Sequence, residues 1–312
     1  MPPIHDHHGH DHHSHHHRHA PADFGRAFLI GIVLNTAFIV AEVVFGLRAN
    51  SLALLADAGH NTGDVFGLAL AFAAALLSRK QPSARFTYGY GGSSIIAATV
   101  NAVILLLVVG AIGWESLVRL AQPEPAGGAT MMAVAAAGVF VNGVTAFLFM
   151  SGQKHDLNVR SAYLHMAADA AISLGVVVTG AVIFYTHWLR FDPLASLVIS
   201  GLIVTGTFKI LKESLSLSLQ GVPQSIDAAQ VRSMLLACAG VKEVHDLHIW
   251  ALNTAEAACS AHLVMTDGHP GDAFIKNIAH ELEHDFNISH TTIQIELGDS
   301  GAACPLAPDH VV

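Results

Sequence analysis

The sequence predicts an α-helical membrane domain with six transmembrane helices, followed by a small α+β domain. Two observations concern composition: 52% of the 312 residues are hydrophobic and only 12% are charged, whereas soluble proteins carry about 25% charged residues. The third observation is how the hydrophobic and polar residues are distributed along the chain. Long apolar stretches dominate until about residue 220, and the alternating polar and apolar pattern of a soluble domain follows.

The first segment, residues 1–23, is a low-complexity run that contains HDHHGHDHHSHHHRH. Such a composition cannot bury a core, so we expect a disordered, metal-collecting arm in the cytoplasm. An expression tag is the alternative, although a tag would be one unbroken histidine run. The residues are polar rather than basic and then apolar, so we expect no cleavable signal peptide and a retained first span.

Residues 24–220 are predicted to form the membrane domain. Each apolar stretch in it meets or exceeds the ~20 residues that cross a bilayer. Lys and Arg cluster after the second span, between the fourth and fifth, and after the sixth, so the positive-inside rule places both termini in the cytoplasm. The predicted spans lie near residues 24–48, 51–78, 93–120, 127–150, 158–187 and 192–219.

Residues 221–298 are predicted to form the α+β domain, with one face of a sheet packed on two helices. Residues 299–312 are expected to be a flexible tail. The predicted order is helix, strand, strand, helix, strand, over residues 227–238, 241–252, 257–265, 271–286 and 290–297.

Two repeated motifs within the apolar stretches carry the functional signal: His60 with Asp64, and His165 with Asp169. Residues four apart on a helix share a face, and ionisable groups at membrane depth are costly unless they have a function or a partner. Two nitrogens and two oxygens form a tetrahedral set suited to Zn²⁺, and more loosely to Co²⁺ or Cd²⁺. Alternatively, each pair is a hydrogen-bonded couple that stabilises helix packing.

A metal site of this kind also binds protons. Zn²⁺ needs neutral imidazoles and ionised carboxylates, so metal binding displaces protons, and a site exposed to each side in turn would exchange one for the other. The chain has no GxxxxGK[ST] loop, which argues against a built-in ATPase. The net charge of −9 argues against a nucleic-acid partner. A membrane-tethered metal sensor without transport would use the same ligands.

The stretch from Ser51 to Asp64 (SLALLADAGHNTGD) resembles the second-helix signature of the cation diffusion facilitator family. His165 and Asp169, the six spans, the His-rich arm and the segment VHDLHIW at 244–250 resemble its zinc-exporting branch. The resemblance implies a homodimeric metal/proton antiporter that exports Zn²⁺ through His60, Asp64, His165 and Asp169. It also implies a ferredoxin-like cytoplasmic domain. The Ala-rich composition favours a bacterial inner membrane.

The same resemblance implies a second metal site in the cytoplasmic domain, with His245, His262 and Glu296 as ligands. His248 is a weaker candidate, because packing against the sheet explains it equally well. Some relatives have a cysteine pair after the last strand, whereas this chain has only Cys304.

Several other polar and apolar residues have two interpretations each. Asp57 either supports the metal site or makes a helix-packing contact. Glu42 and Asp192 either carry protons or reach interfacial water near the span ends. Leu164 is part of a hydrophobic gate or a core leucine. We expect Cys238 and Cys259 to be reduced and buried.

The segment HELEHDFNISH at 280–290 matches HExxH, the zinc-protease motif with a glutamate base. Against this interpretation, Ile275, Ile278, Leu282 and Phe286 form the apolar stripe of an ordinary amphipathic helix. We therefore expect a helix here and no enzyme.

Overall fold

Six long helices make up the first part of the chain in a computed structural model that describes residues 24–150, 157–298 and 304–307. Their bounds agree with the predicted spans to within one residue. The predicted arm at 1–23 and most of the predicted tail lie outside the described residues. The helices are α1 (Phe24–Arg48), α2 (Leu52–Ser78), α3 (Ser93–Ala121), α4 (Gly128–Phe149), α5 (Leu157–Thr186) and α6 (Phe191–Ser218).

The helices have the length and composition of membrane spans. In the described part of the chain, α2, α3, α4, α5 and α6 each contain a segment long and apolar enough to cross a bilayer. Helix α1 has 25 residues, which is also sufficient length. The chain is therefore a multi-pass membrane protein, as predicted.

A buried carboxylate fixes the start of α2. Asp192, at the start of α6, accepts hydrogen bonds from the Ser51 hydroxyl (2.7 Å) and from the backbone N–H groups of Leu52 (2.8 Å) and Ala53 (3.2 Å). The first N–H groups of a helix have no intrahelical acceptor, so a carboxylate there stabilises the helix end. Asp192 is buried, which rules out the alternative that it reaches interfacial water. Its hydrogen bonds join α2 to α6.

Glycines bring α4 and α5 into close contact. A Cβ atom on Gly128 would lie 2.6 Å from the Gly180 carbonyl oxygen, and one on Gly180 would lie 2.7 Å from the Gly128 carbonyl oxygen. Small residues at helix contacts in membranes allow this backbone approach. Helix α5 also contacts α2, so this packing helps to place the His165 motif beside the His60 motif.

The carboxy-terminal part of the chain is a three-stranded sheet covered by two helices, as predicted. Strands β1 and β2 are antiparallel, β2 and β3 are parallel, and the strand order is β1-β2-β3. The helices bury Val231, Leu235, Ile278 and Leu282 against the sheet. The elements are α7 (Ala228–Ala237), β1 (Glu243–Ala251), β2 (Ala257–Val264), α8 (Asp272–Phe286) and β3 (Ile288–Glu296).

The loop between α2 and α3 and the first turn of α3 contact this second domain. The Tyr88 ring lies 6.5 Å from the Trp250 ring and 5.4 Å from the His290 ring, centroid to centroid. The backbone N–H of Thr254 donates to the Ser94 hydroxyl at 3.1 Å. The helical domain and the sheet domain therefore share an interface.

Candidate metal centres

The first candidate centre lies between α2 and α5 and contains all four residues of the repeated motifs. His60 Nε2 is 3.3 Å from Asp169 Oδ1, and His165 Nε2 is 3.3 Å from Asp64 Oδ2. Within each helix the contacts are longer: 3.7 Å between His60 and Asp64, and 3.6 Å between His165 and Asp169. Each imidazole therefore contacts the carboxylates of both helices.

These distances suit a tetrahedral metal ion. With bonds of about 2.0–2.1 Å, neighbouring ligand atoms around Zn²⁺ are ~3.3–3.4 Å apart, close to the four N···O distances here. One donor atom each of His60, Asp64 and Asp169 lies within 4.8 Å of the other two. His165 is outside that group of three, and its ring lies 6.1 Å from the His60 ring, centroid to centroid, so it adjoins the other three from the outer edge of the centre.

Exposure varies strongly within this centre. The exposed fraction of the side chain is 3% for Asp169 and 19% for His60, but 33% for Asp64 and 44% for His165. The centre is thus closed on the Asp169 side and open on the His165 side. Leu164 is 55% exposed, which corrects the expectation of a core leucine.

A buried polar group adjoins the closed side. Asp57, one turn before His60, accepts a hydrogen bond from the Ser173 hydroxyl of α5 at 2.9 Å. Glu42 of α1 accepts one from the Asn61 side chain at 3.0 Å. Both carboxylates are fully buried, so the expectation that Glu42 reaches interfacial water is wrong.

The second candidate centre lies on the sheet, where the strand register brings its histidines together. His245 of β1 pairs with His262 of the antiparallel neighbour β2, and the two rings are 5.3 Å apart. Glu296 ends β3, beside the end of β2. A bulge follows His245, with Asp246 in the left-handed region at a φ of 50°. Bulges re-aim side chains next to functional sites, and this one directs Asp246 toward His262.

All three predicted residues of this second centre converge. Glu296 lies 3.3 Å from His245 Nε2 and 3.0 Å from His262 Nδ1. Partial burial acts to raise the pKa of Glu296, but the Cys304 hydrogen bond and the nearby His245 outweigh it and lower the pKa. A carboxylate that stays ionised is a competent metal ligand.

Two further residues join this centre that the sequence did not identify as ligands. Cys304 Sγ lies 3.8 Å from His262 Nδ1 and belongs, with His245, His262 and Glu296, to a group whose donor atoms are all within 4.8 Å of one another. Asp246 lies 3.3 Å from His262 Nε2. His248 instead pairs with Asp246 at 2.8 Å. The sequence feature that could have identified Asp246 as a candidate ligand is its position between two histidines in VHDLHIW.

The histidines of the HExxH segment do not form a comparable centre in the described chain. His280 and His284 are exposed on α8, and His284 pairs with its neighbour Asp285 at 2.7 Å. His290 packs against Tyr88. Of the predicted apolar stripe, Ile278 and Leu282 lie in the domain core and Phe286 packs against it, whereas Phe274 packs there in place of the predicted Ile275.

The chain matches known families over nearly its whole length. Residues 28–217 match the cation efflux transmembrane domain, and residues 223–297 match the cytoplasmic domain of cation efflux proteins. The zinc transporter ZitB of Shigella flexneri is 36% identical over 89% of this chain and 90% of its own length.

Two other relatives have comparable identity and coverage. The metal cation efflux system protein CzcD of Cupriavidus metallidurans is 36% identical over 89% of this chain and 88% of its own length. The cadmium, cobalt and zinc/H⁺-K⁺ antiporter of Bacillus subtilis is 33% identical, with coverage of 87% and 88%.

Proposed function

Since this chain belongs to the cation efflux family and is a divalent metal cation efflux transporter, we propose that it exports Zn²⁺ from the cytoplasm in exchange for protons. The transport site is His60, Asp64, His165 and Asp169. The observation that carries this assignment is the contact of each imidazole with carboxylates of both α2 and α5, at 3.3–3.7 Å. Relatives named for zinc support the cargo, and a relative named as a cadmium, cobalt and zinc/H⁺-K⁺ antiporter supports exchange for a monovalent cation, for which we propose the proton. Cd²⁺ and Co²⁺ are further candidate cargoes.

The exchange follows from the chemistry of these four groups. Protons and Zn²⁺ compete for the same nitrogen and oxygen lone pairs, so the arriving ion displaces the protons. The ion enters past His165, the most exposed of the four, and is held by the buried Asp169. Return of protons to the imidazoles and carboxylates then lowers the affinity and releases the ion. The proton gradient supplies the free energy.

The proposed topology places both termini in the cytoplasm of a bacterial cell, with the protein in the inner membrane. Residues 24–220 form the membrane domain, and residues 221–298 form the cytoplasmic domain. The His-rich segment at residues 1–23 collects metal. The basic residues Arg79, Lys80 and Arg85 after α2, Arg160 near the start of α5, and Lys209 and Lys212 near the end of α6 support this orientation.

The proposed role of the cytoplasmic domain is dimerisation and metal-dependent regulation. The match to the family's cytoplasmic domain supports a homodimer, and the second centre supports regulation. A metal ion held by His245, His262 and Glu296, with Cys304 as a fourth donor, would join β1, β2, β3 and the segment after β3. Coordination of this kind would stiffen the dimer.

We propose that the chain is a transporter and not an enzyme. The HExxH segment is the one sequence feature that favours hydrolysis, and its histidines face outward from α8. Zinc-dependent cleavage of denatured casein that is lost in Glu281→Gln would contradict this.

The test is metal uptake into proteoliposomes that contain the purified full-length protein and a trapped metal indicator. Zn²⁺, Cd²⁺ and Co²⁺ are supplied with and without a pH gradient. Asp169→Ala is compared with Asp192→Asn, which alters an equally buried acid outside the site. We expect gradient-dependent Zn²⁺ uptake that is lost in Asp169→Ala and retained in Asp192→Asn.

Each other result has a defined meaning. Tight Zn²⁺ binding without flux under any gradient would overturn the transporter proposal in favour of a membrane-tethered sensor. Flux that survives Asp169→Ala would show that the transport site lies elsewhere. Flux that is independent of the pH gradient would overturn the exchange for protons.

A further inference from the structure

Glu42 and Asp57 form a carboxyl pair in the interior of the helical domain. Each has one oxygen held by a neutral donor: Asn61 donates to Glu42 Oε2 at 3.0 Å, and Ser173 donates to Asp57 Oδ2 at 2.9 Å. The other oxygens, Glu42 Oε1 and Asp57 Oδ1, have no donor within hydrogen-bonding distance among the described residues. The two side chains contact each other, and neither is exposed to solvent.

Among the residues whose side chains the structure describes, no lysine or arginine acts on the pair. The charged groups whose fields reach the pair are His60 and Asp169 of the transport site. Helix α4, which packs against α1, has no ionisable residue. The other titratable or charged groups on α1, α2, α3, α5 and α6 lie at the transport site or toward helix ends. They are Arg26, Arg48, Asp64, Glu115, Arg119, Arg160, Tyr163, His165, Tyr185, Asp192, Lys209, Lys212 and Glu213.

While no metal ion is bound nearby, two adjacent carboxyl groups in such a place do not both ionise, because burial and mutual repulsion each disfavour the second charge. A proton on one group turns it into a donor for the free oxygen of the other. One proton therefore satisfies both orphaned oxygens, and removing it would leave two buried like charges in contact.

We infer that Glu42 and Asp57 together hold one proton and form a proton-binding site separate from the four metal ligands. The inference rests on the proposed metal/proton exchange and adds a carrier for one of its protons. The site is linked to the metal ligands through three short connections. Asp57 precedes His60 by three residues, Asn61 follows His60 directly, and Ser173 lies one turn after Asp169 on α5.

Metal binding empties this proton site through electrostatics. A divalent ion held by His60 and Asp169 adds positive charge beside the pair, which favours its doubly ionised form. The proton leaves as the ion arrives, and its return favours release of the ion. The pair therefore raises the number of protons exchanged per metal ion by one without adding a metal ligand.

The experiment measures protons released per Zn²⁺ bound, by titrating zinc sulfate into weakly buffered, purified full-length protein with a pH-sensitive dye. Glu42→Gln keeps the Asn61 contact, and its amide donates to Asp57 as the proton would, so it imitates the protonated pair permanently. Asp57→Asn does the same from the other side. Asp192→Asn is the matched buried-acid control, and the cytoplasmic centre contributes equally to every variant.

We expect both pair variants to bind Zn²⁺ but to release about one proton fewer per transport site than the wild type. Asp192→Asn should release as many as the wild type. An unchanged count in Glu42→Gln and Asp57→Asn would overturn the inference while leaving the transport site intact. Failure of the wild type to bind Zn²⁺ at His60 and Asp169 would instead overturn the proposed function.

A measurement on the wild type covers the case in which neither pair variant folds. Infrared difference spectra with and without zinc sulfate should show loss of the carbonyl stretch of a protonated carboxylic acid when Zn²⁺ binds. The same loss should occur in Asp192→Asn. Absence of that loss in the folded, zinc-bound wild type would overturn the inference.

Discussion

Asp169 of α5 lies closer to His60 of α2, at 3.3 Å, than to His165 one turn earlier in its own helix, at 3.6 Å. Asp64 shows the same preference, with 3.3 Å to His165 and 3.7 Å to His60. The two motifs therefore interlock across the helix pair rather than acting as two separate sites. A metal ion bound by all four would join α2 to α5, and any movement of one helix along the other would change its coordination.

The two histidines should not contribute equally to zinc affinity. His60 is enclosed and belongs to the group of three donors within 4.8 Å, whereas His165 is at the open edge. Water can replace an exposed fourth ligand of zinc more easily than a buried one. We expect His165→Ala to weaken Zn²⁺ binding by about tenfold and His60→Ala by at least about 100-fold. Mutations around metal sites typically reduce metal affinity by about 10- to 100-fold.

The measurement is isothermal titration of the detergent-purified protein without residues 1–23 and with His245→Ala/His262→Ala, so that binding at the His-rich segment and at the cytoplasmic centre does not interfere. Leu164→Ala, an exposed neighbour of His165, serves as the control and should leave the affinity unchanged. Equal losses for the two histidine variants would contradict the unequal contributions.

Removing the Asp192 carboxylate should destabilise the helical domain. Asp192→Ala leaves the Ser51 hydroxyl and the N–H groups of Leu52 and Ala53 without their buried acceptor, at a cost of about 1–3 kcal/mol. Asp192→Asn keeps one acceptor oxygen and should lose less. The free energy of unfolding in urea, in a fixed detergent, tests this order, and a larger loss in Asp192→Asn than in Asp192→Ala would contradict it.

Much of the architecture was predictable from local pattern alone. Membrane helices are long apolar runs, so the bounds of α1 to α6 followed from composition to within one residue. The strand at 288 was predicted two residues late, because Ile288 and Ser289 follow directly on the αL residue Asn287 that ends α8. Because α8 ends and β3 begins within a single turn, no polar linker in the sequence marks the boundary between them.

The contacts between distant segments were less predictable. Helical spacing predicts that His60 and Asp64 share a face, but it does not show that Asp64 is nearer to His165. Glu42 is near the end of a span in the sequence, yet it is buried against Asp57 because α1 packs along α2. Cys304 comes eight residues after β3, and only the folded chain brings its sulfur to His262.

The close contact of α4 and α5 should be sensitive to small increases in side-chain volume. Gly180→Ala places a methyl group against the Gly128 carbonyl oxygen and the Met132 backbone nitrogen, at 2.7 and 2.9 Å, and overpacking of this kind costs about 1–3 kcal/mol. Gly175→Ala, on the same helix with no atom within 4 Å, is the matched control. We expect the first variant to have a lower thermal unfolding temperature and slower zinc uptake than the wild type. The second variant should match the wild type in both measurements. Normal behaviour of Gly180→Ala would show that the helices can separate without loss.

Zinc should protect Cys304 from alkylation if that thiol joins the cytoplasmic centre. Metal-bound thiolate is less available as a nucleophile, so we expect labelling by N-ethylmaleimide to slow at least about tenfold in zinc sulfate.

The other two cysteines are the controls. Cys238 is partly exposed outside the centre and should label at the same rate with and without metal. Burial raises the pKa of Cys259 to about 12, so it should stay unlabelled. Mass spectrometry of each cysteine peptide gives the three rates. Equal labelling of Cys304 with and without zinc, in a protein whose cytoplasmic domain binds the metal, would remove Cys304 from the ligand set and leave His245, His262 and Glu296.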